Sequence, residues 1–360
     1  MVTPGNNVSN MLVSVIIPCF NEEKVLQETY GRICTALRRG PGVDYEFVFI
    51  DDGSADETPA ILRNLAHNDP RVNMIRFSRN FGHQPAVSAG LKRCRGDLAV
   101  IIDADLQDPP EAIPQMIQQL LGSGSNAVYG VRQKRKGETW FKLLTAKVFY
   151  IFLNKLSEVP IPADTGDFRV IDRKIINAFN ALPENNKYIR GLISWMGFKQ
   201  TPYYYERDAR HAGATKYTLK KMLRFASTGI FYFSKKPLKL ATTFGFLSVA
   251  LALLLSAWIL FNKAVRPQYL ISGWTSVILA IIYFGGVQLL TIGILGHYIG
   301  SLFDEVKKRP EYIVDEILHG QPVAESSLRR FSQFSEPITI VEKNPRQELA
   351  PVAGRSAGES

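Results

Sequence analysis

Two uninterrupted apolar runs constrain this chain more than any other feature. Leu240 to Phe261 is 22 residues long, Leu270 to Leu295 is 26, and neither contains a charged residue. At about 1.5 Å rise per residue, either run can cross a hydrocarbon layer of roughly 30 Å as a helix. Two buried helices of a soluble core are the alternative, and the lengths weigh against them. Gly245, Gly273, Gly285, Gly286, Gly293 and Gly296 suit close helix approach, which permits a homo-oligomer without requiring one. Trp258, Trp274, Tyr269 and Tyr283 add amphipathic rings of the kind found at membrane interfaces.

The charge distribution points the same way. Of 360 residues, 43 are Lys or Arg and 33 are Asp or Glu. Ala209 to Phe303 holds ten bases and no acid, so the remainder balances at 33 of each sign. Because the excess coincides with the apolar runs, an anionic membrane surface is the expected partner and nucleic acid is not. Lys235, Lys236 and Lys239 precede the first run, Lys307, Lys308 and Arg309 follow the second, and only Lys263 and Arg266 lie between. Retention of bases on the cytoplasmic side then predicts a multi-pass protein of the inner (cytoplasmic) membrane, with both termini and the large N-terminal part in the cytoplasm. Met11 to Phe20 has no basic leader and runs into Asn21-Glu22-Glu23, so a signal peptide is not expected. Cys19, Cys34 and Cys94 lack metal-type spacing, and free thiols are expected.

Ahead of the apolar runs, β-rich stretches alternate with helical patterns. The strands are expected at Val13–Ile17, Phe47–Ile50, Val72–Phe77, Leu98–Ile102 and Ala127–Tyr129. Helices are expected near Glu23–Leu37, Glu57–Ala66, Gln84–Arg93 and Glu111–Leu121. That order is the signature of an α/β domain with a mostly parallel sheet and crossover helices. Ligands of such sheets collect beyond the carboxyl ends of the strands. Pro18-Cys19-Phe20-Asn21-Glu22, Asp51-Asp52-Gly53-Ser54 and Asp103-Ala104-Asp105-Leu106-Gln107 fall there.

Carboxylates crowded at one edge are costly unless a cation or a donor-rich ligand compensates them. Asp103 and Asp105, with the Gln107 amide oxygen, offer hard oxygen donors suited to Mg2+ or Mn2+ bridging a pyrophosphate. Solvated charges at a helix start are the alternative for this pair. Asp52 is a candidate acceptor for base or ribose donors, or else part of a capped turn. A dinucleotide cofactor is disfavoured, since no G-x-G-x-x-G follows the first strand.

Val15-Ile16-Ile17-Pro18 with Asn21-Glu22-Glu23, Asp51-Asp52-Gly53-Ser54, Arg79-Asn80-Phe81-Gly82, Asp103 through Glu111, and Thr165-Gly166-Asp167-Phe168-Arg169 together resemble the polyprenyl-phosphate glycosyltransferases. These are inverting enzymes of GT-A fold, similar to bactoprenol glucosyltransferases and dolichyl-phosphate mannose synthases. The resemblance spans about Leu12 to Ile317. It implies a nucleotide-sugar donor at Pro18, Phe20, Glu22, Asp52 and Asp103, a divalent cation on Asp103, Asp105 and Gln107, and a polyprenyl phosphate acceptor. Asp105 and Asp167 are the catalytic candidates it implies. Asp167 would position the acceptor or stabilise oxocarbenium-like charge, with a turn-capping role as the alternative. UDP-glucose is the favoured donor; GDP-mannose, UDP-GlcNAc or an aminosugar nucleotide are alternatives.

Arg132, Arg207, Arg210 and Lys216 are the cationic candidates for the lipid phosphate, each with a solvated basic loop as its alternative. Met222, Leu223, Ala226, Ile230 and Phe231 follow helical spacing with Lys220, Lys221 and Arg224 between them, which predicts an interfacial amphipathic helix. The expected organisation is a cytosolic GT-A domain over 1–210, an amphipathic juxtamembrane segment over 211–239, two transmembrane helices over 240–303, and a cytosolic helix with a flexible tail over 304–360. A processive polysaccharide synthase is disfavoured by the absence of Gln-x-x-Arg-Trp and of further spans, and a non-catalytic scaffold by the intact acidic residues.

Overall fold

In the computed structural model, the residues described are 11–40, 42–132, 165–185, 187–206, 236–265 and 274–320. Their order is β1 (Leu12–Cys19), α1 (Leu26–Arg38), β2 (Asp44–Asp51), α2 (Thr58–Asn68), β3 (Val72–Phe77), α3 (His83–Arg93), β4 (Leu98–Ile101), α4 (Ile113–Ser123) and β5 (Ala127–Arg132). There follow β6 (Thr165–Asp172), α5 (Arg173–Ala181), α6 (Ile189–Trp195), β7 (Gln200–Tyr205), α7 (Lys236–Val265), α8 (Trp274–Val306) and β8 (Val314–His319). All five expected strands and all four expected helices of the N-terminal part are present, displaced by a few residues at their ends.

The chain divides into two compact units. In the first, eight strands form one sheet in the order β7-β5-β6-β4-β1-β2-β3-β8. β1 runs parallel to β2 and β4, β2 to β3, and β5 to β7; β6 is antiparallel to β4 and β5, and β8 to β3. β1 is central, and Val13, Val15, Ile16 and Ile17 are fully buried. A strand covered on both faces reads as a continuous apolar run rather than an alternating one, as Val15-Ile16-Ile17 does after the buried Ser14, whose hydroxyl donates to Glu46 at 2.6 Å. Helices supply the cover through apolar stripes: in α4, Ile113, Met116, Ile117 and Leu120 are buried, at the spacing of one helix face. Gly124, left-handed at φ 58°, ends that helix. Asp172 caps α5 by accepting from the Ile175 amide at 3.0 Å.

The second unit contains α7 and α8, which pack on one another. Lys236–Leu255 and Ala280–Val306 have mean hydropathies of 2.0 and 1.5, and both helices are long and apolar enough to cross a membrane. The expected amphipathic helix lies outside the described residues.

Past α8 the structure departs from the expected cytosolic helix. α8 itself runs on to Val306, and the chain rejoins the first unit as β8. The burial of Val314, Ile317 and Leu318 and the ion pair of Glu316 with Arg63 at 2.8 Å explain why this segment is a strand on the sheet edge.

α3 packs flush on the sheet because Gly90 has no side chain. A Cβ there would meet Ile16 Cγ2 at 2.3 Å and Ile50 Cδ1 at 3.0 Å. Gly90→Ala is therefore expected to lower stability by about 1–3 kcal/mol through overpacking. Gly31→Ala, with nothing within 4 Å of its would-be Cβ, is expected to raise it by about 0.5–1 kcal/mol. Thermal unfolding of the full chain measures both.

Candidate active site

The site is assembled where loops leave the carboxyl ends of β1, β2 and β4. Asn21, left-handed at φ 56°, turns the chain after β1, a conformation that asparagine tolerates better than most residues. Its backbone amide donates to Ser54 Oγ at 2.9 Å, and its side-chain oxygen accepts from the Ala55 amide at 2.9 Å. The Glu22 amide donates to Thr58 Oγ1 at 2.9 Å. These bonds lace the loop after β1 to the loop after β2 and frame a cleft of about 520 Å3. Asn21, Glu22, Glu23, Asp56 and Asp105 line it. Phe20 is exposed just after β1. Pro18 is instead buried within β1, paired in register with Ile50, and does not line the cleft.

Asp52 has a different surrounding from the one expected. It is buried, and its two oxygens accept from the Phe81 amide at 2.7 Å and the Gly82 amide at 2.9 Å. Both donors belong to the Arg79-Asn80-Phe81-Gly82 loop, so Asp52 anchors that loop. Burial pushes its carboxyl above the usual range, against the two amides. Gly53, at φ 68°, makes this contact possible, because a Cβ would stand 2.4 Å from the Arg79 carbonyl carbon.

The anchored loop delivers His83, the first residue of α3. His83 Nε2 lies 3.0 Å from Asp167 Oδ2, and Nδ1 lies 3.7 Å from Asp103 Oδ1. Arg190, on α6, grips Asp167 from another side, with Nε 2.6 Å from Oδ1 and Nη2 3.1 Å from Oδ2. Burial alone would raise the Asp167 carboxyl, but Arg190 and His83 hold it well below the usual range. Burial opposes protonation of His83, yet Asp167 and Asp103 raise it to about 9. Arg169 is buried nearby and donates to the backbone oxygens of Asp167 and Gly166 at 3.2 and 3.3 Å. Burial lowers its guanidinium to about 10.

His83 and Arg190 are not among the site residues expected from the sequence. For His83 a signal existed, because it directly follows the Arg79–Gly82 motif at a strand's carboxyl end. For Arg190 there was none, since its partner is fixed only by tertiary contact.

Asp103 is served least well. Burial, then Asp167, Asp105 and Asp108, push its carboxyl up to about 6 against the pull of His83. Its Oδ1 is buried without a hydrogen-bond partner. Asp105 lines the cleft and accepts the Gln107 amide at 3.1 Å, with Leu106 between them left-handed at φ 57°. Arg132, at the end of β5, donates from Nη2 to Asp108 at 3.3 Å. Arg207, Arg210 and Lys216 lie outside the described residues.

The model of glycosyl transferase family 2 matches residues 14–179. An uncharacterized glycosyltransferase of Bacillus subtilis is 48% identical over 303 residues, 84% of this chain and 93% of that protein. The bactoprenol glucosyl transferase of Shigella phage SfII is 38% identical over 312 residues, 87% of this chain and 100% of that protein. Among solved structures, a mannosyltransferase from Pyrobaculum calidifontis in complex with GDP-Man and Mn2+ is 18% identical, covering 82% of this chain and 88% of that one, with a TM-score of 0.45. This chain is a family 2 glycosyltransferase. Its first unit has the GT-A fold, and the resemblance to the polyprenyl-phosphate glycosyltransferases holds at the level of whole-length relatives.

The residues of this glycosyltransferase fit a divalent cation. The unpartnered buried oxygen of Asp103 and the Asp105 carboxylate at the cleft are hard donors. Among the described residues, no three His, Cys, Asp or Glu side chains converge as a preformed metal cage. Mg2+ characteristically uses one or two carboxylates and completes its shell with water and substrate phosphates.

The Asp167–Arg190 pair is buried enough to matter for stability. Arg190→Met leaves the Asp167 charge in place without its bidentate partner and is expected to cost about 3–5 kcal/mol. Arg32→Met, which breaks the outer ion pair with Glu111 at 2.8 Å, is expected to cost no more than about 1 kcal/mol. Denaturant unfolding of the full chain distinguishes the two.

Proposed function

We propose that this glycosyltransferase moves a hexose, with UDP-glucose as the favoured donor, onto a polyprenyl phosphate such as undecaprenyl phosphate, with inversion at the anomeric carbon. The observation that carries the reading is one chain holding both a carboxylate-lined cleft in a GT-A unit and two helices of membrane-spanning length. The bactoprenol glucosyl transferases that match it over most of its length support the same acceptor. In this reading the GT-A unit and both termini lie on the cytoplasmic side of the inner membrane, α7 and α8 span it, and the amphipathic segment ahead of α7 lies along the lipid headgroups.

A lipid phosphate is already ionised near neutral pH, so no side chain has to remove a proton before it attacks. One phosphate oxygen forms a bond to the anomeric carbon as the bond from that carbon to the nucleoside diphosphate breaks. The electron pair leaves with the diphosphate, so the products are a lipid-linked sugar and a nucleoside diphosphate. Asp103, Asp105 and Gln107 would hold Mg2+ or Mn2+, whose charge stabilises the departing diphosphate when the cation is bound. Phe20 and Glu22 flank the place for the nucleotide, while Asp52 shapes it through the 79–82 loop. Asp167, kept ionised by Arg190 and His83, faces developing positive charge on the sugar and has no call to act as a base. Arg132, with Arg207, Arg210 and Lys216, meets the acceptor phosphate.

A panel of radiolabelled UDP- and GDP-sugars offered with undecaprenyl phosphate tests donor and acceptor together. Transfer of a single sugar, loss of turnover with EDTA, its return with Mg2+ or Mn2+, and a loss of at least about a hundredfold in Asp105→Ala are expected. Full activity in that variant, or growth of a long polymer, overturns the reading.

A further inference from the structure

Asp108 closes the Asp103–Asp108 stretch and directly precedes Pro109-Pro110. The structure buries it, at 1% exposure, and a carboxylate at such a position has to be matched by donors. Two residues supply them. The Tyr205 hydroxyl donates to Asp108 Oδ1. Arg132 Nη2 stands 3.3 Å from the same oxygen and 3.5 Å from the other.

Tyr205 also accepts from Arg132 Nε at 3.3 Å, which closes a three-membered network. Its position is fixed independently. Arg132 and Tyr205 are register partners on β5 and β7, the tyrosine ring meets Phe168 edge-on at 5.8 Å, and a Cβ on Gly130 would come 2.7 Å from that ring. The guanidinium lies over Gly166, where a Cβ would stand 2.8 Å from Nη2. Arg132 is thereby held beside the residue preceding Asp167, with Nε and Nη2 engaged. Among the described residues, Nη1 has no hydrogen-bond partner.

We infer that Asp108 and Tyr205 are positioning residues that hold Arg132 in place to receive the acceptor's phosphate, an inference that rests on the acceptor reading above. A free arginine must surrender rotamer freedom when it binds an anion. One fixed along two of its edges has already done so and offers its remaining N–H groups in a set direction. Gly166 belongs to the same device, since any side chain there would displace the guanidinium.

Tyr205→Phe is the discriminating variant, because it keeps the ring on Phe168 and removes only the hydroxyl. With undecaprenyl phosphate and the nucleotide sugar that supports wild-type turnover, it is expected to raise the acceptor KM about five- to tenfold and leave the donor KM unchanged. Asp108→Asn is expected to act in the same direction and more strongly. In an Arg132→Ala background, Tyr205→Phe is expected to add nothing. If undecaprenyl phosphate supports no turnover by the unaltered chain, the acceptor reading itself fails; if it does and Arg132→Ala leaves its KM unchanged, Arg132 does not receive the acceptor and the positioning role is overturned. If Arg132→Ala raises it while Tyr205→Phe is silent alone, adds its full effect in the double variant, or shifts the donor KM instead, the acceptor reading stands and the positioning role is overturned.

Discussion

Negative charge buried at one edge of a sheet is the constraint that the rest of this molecule answers. Like charges that close in a poorly hydrated cleft raise one another's pKa or draw in compensating groups. Each acidic side chain here has its own arrangement. Asp52 takes two backbone amides, Asp108 a tyrosine and an arginine, and Asp167 an arginine and a histidine. Asp103 has the weakest compensation, with His83 Nδ1 at 3.7 Å, an oxygen without a hydrogen-bond partner and a carboxyl raised to about 6. The residues satisfied from within the protein build and orient the site. The one left wanting is where a cation from outside has most to contribute.

The chain assembles this edge from distant pieces. After α8, Ile313 accepts the Ser78 amide at 3.0 Å, Tyr312 stacks on Phe77 with centroids 4.8 Å apart, and Glu311 accepts from Ser88 at 2.8 Å. β8 then pairs with β3. Those contacts brace the strand and the helix on either side of the Arg79–Gly82 loop, the same loop that Asp52 holds from below and that delivers His83. The catalytic unit is therefore closed by residues that follow the apolar helices, and its boundary cannot be drawn at a single point ahead of them.

Most of the sheet was legible because its central strands are buried on both faces and carry unbroken apolar runs, as in Val15-Ile16-Ile17 and Val48-Phe49-Ile50. β6, β7 and β8 were not. Thr165-Gly166-Asp167 opens β6 with functional rather than apolar residues, Gln200-Thr201-Pro202 opens an edge strand, and β8 lies beyond a stretch that dominates any hydropathy reading. The acidic motifs were legible because strand ends are where ligands bind in such sheets. Their partners were not, since which arginine meets Asp167, and which meets Asp108, is decided by tertiary packing and not by spacing. Asp52 shows the limit in the other direction: position suggested a ligand contact, and the two backbone amides that occupy it became visible only in three dimensions.

The compensation pattern also bears on the proposed chemistry. A carboxylate that must serve as a base needs an accessible oxygen and a pKa near the working pH. Asp167 has neither, because Arg190 and His83, with Arg169 Nη2 at 3.9 Å, surround its oxygens and hold it ionised. For an acceptor hydroxyl that arrangement would be an obstacle, whereas for an acceptor phosphate, which arrives ionised, it costs nothing. What such a reaction demands is fixed charge: negative beside the sugar as it gains positive character, and positive beside both the attacking and departing phosphates. In the proposed reaction, Arg190 and His83 around Asp167, and Asp108 and Tyr205 around Arg132, would meet that demand by holding charges still rather than by moving protons.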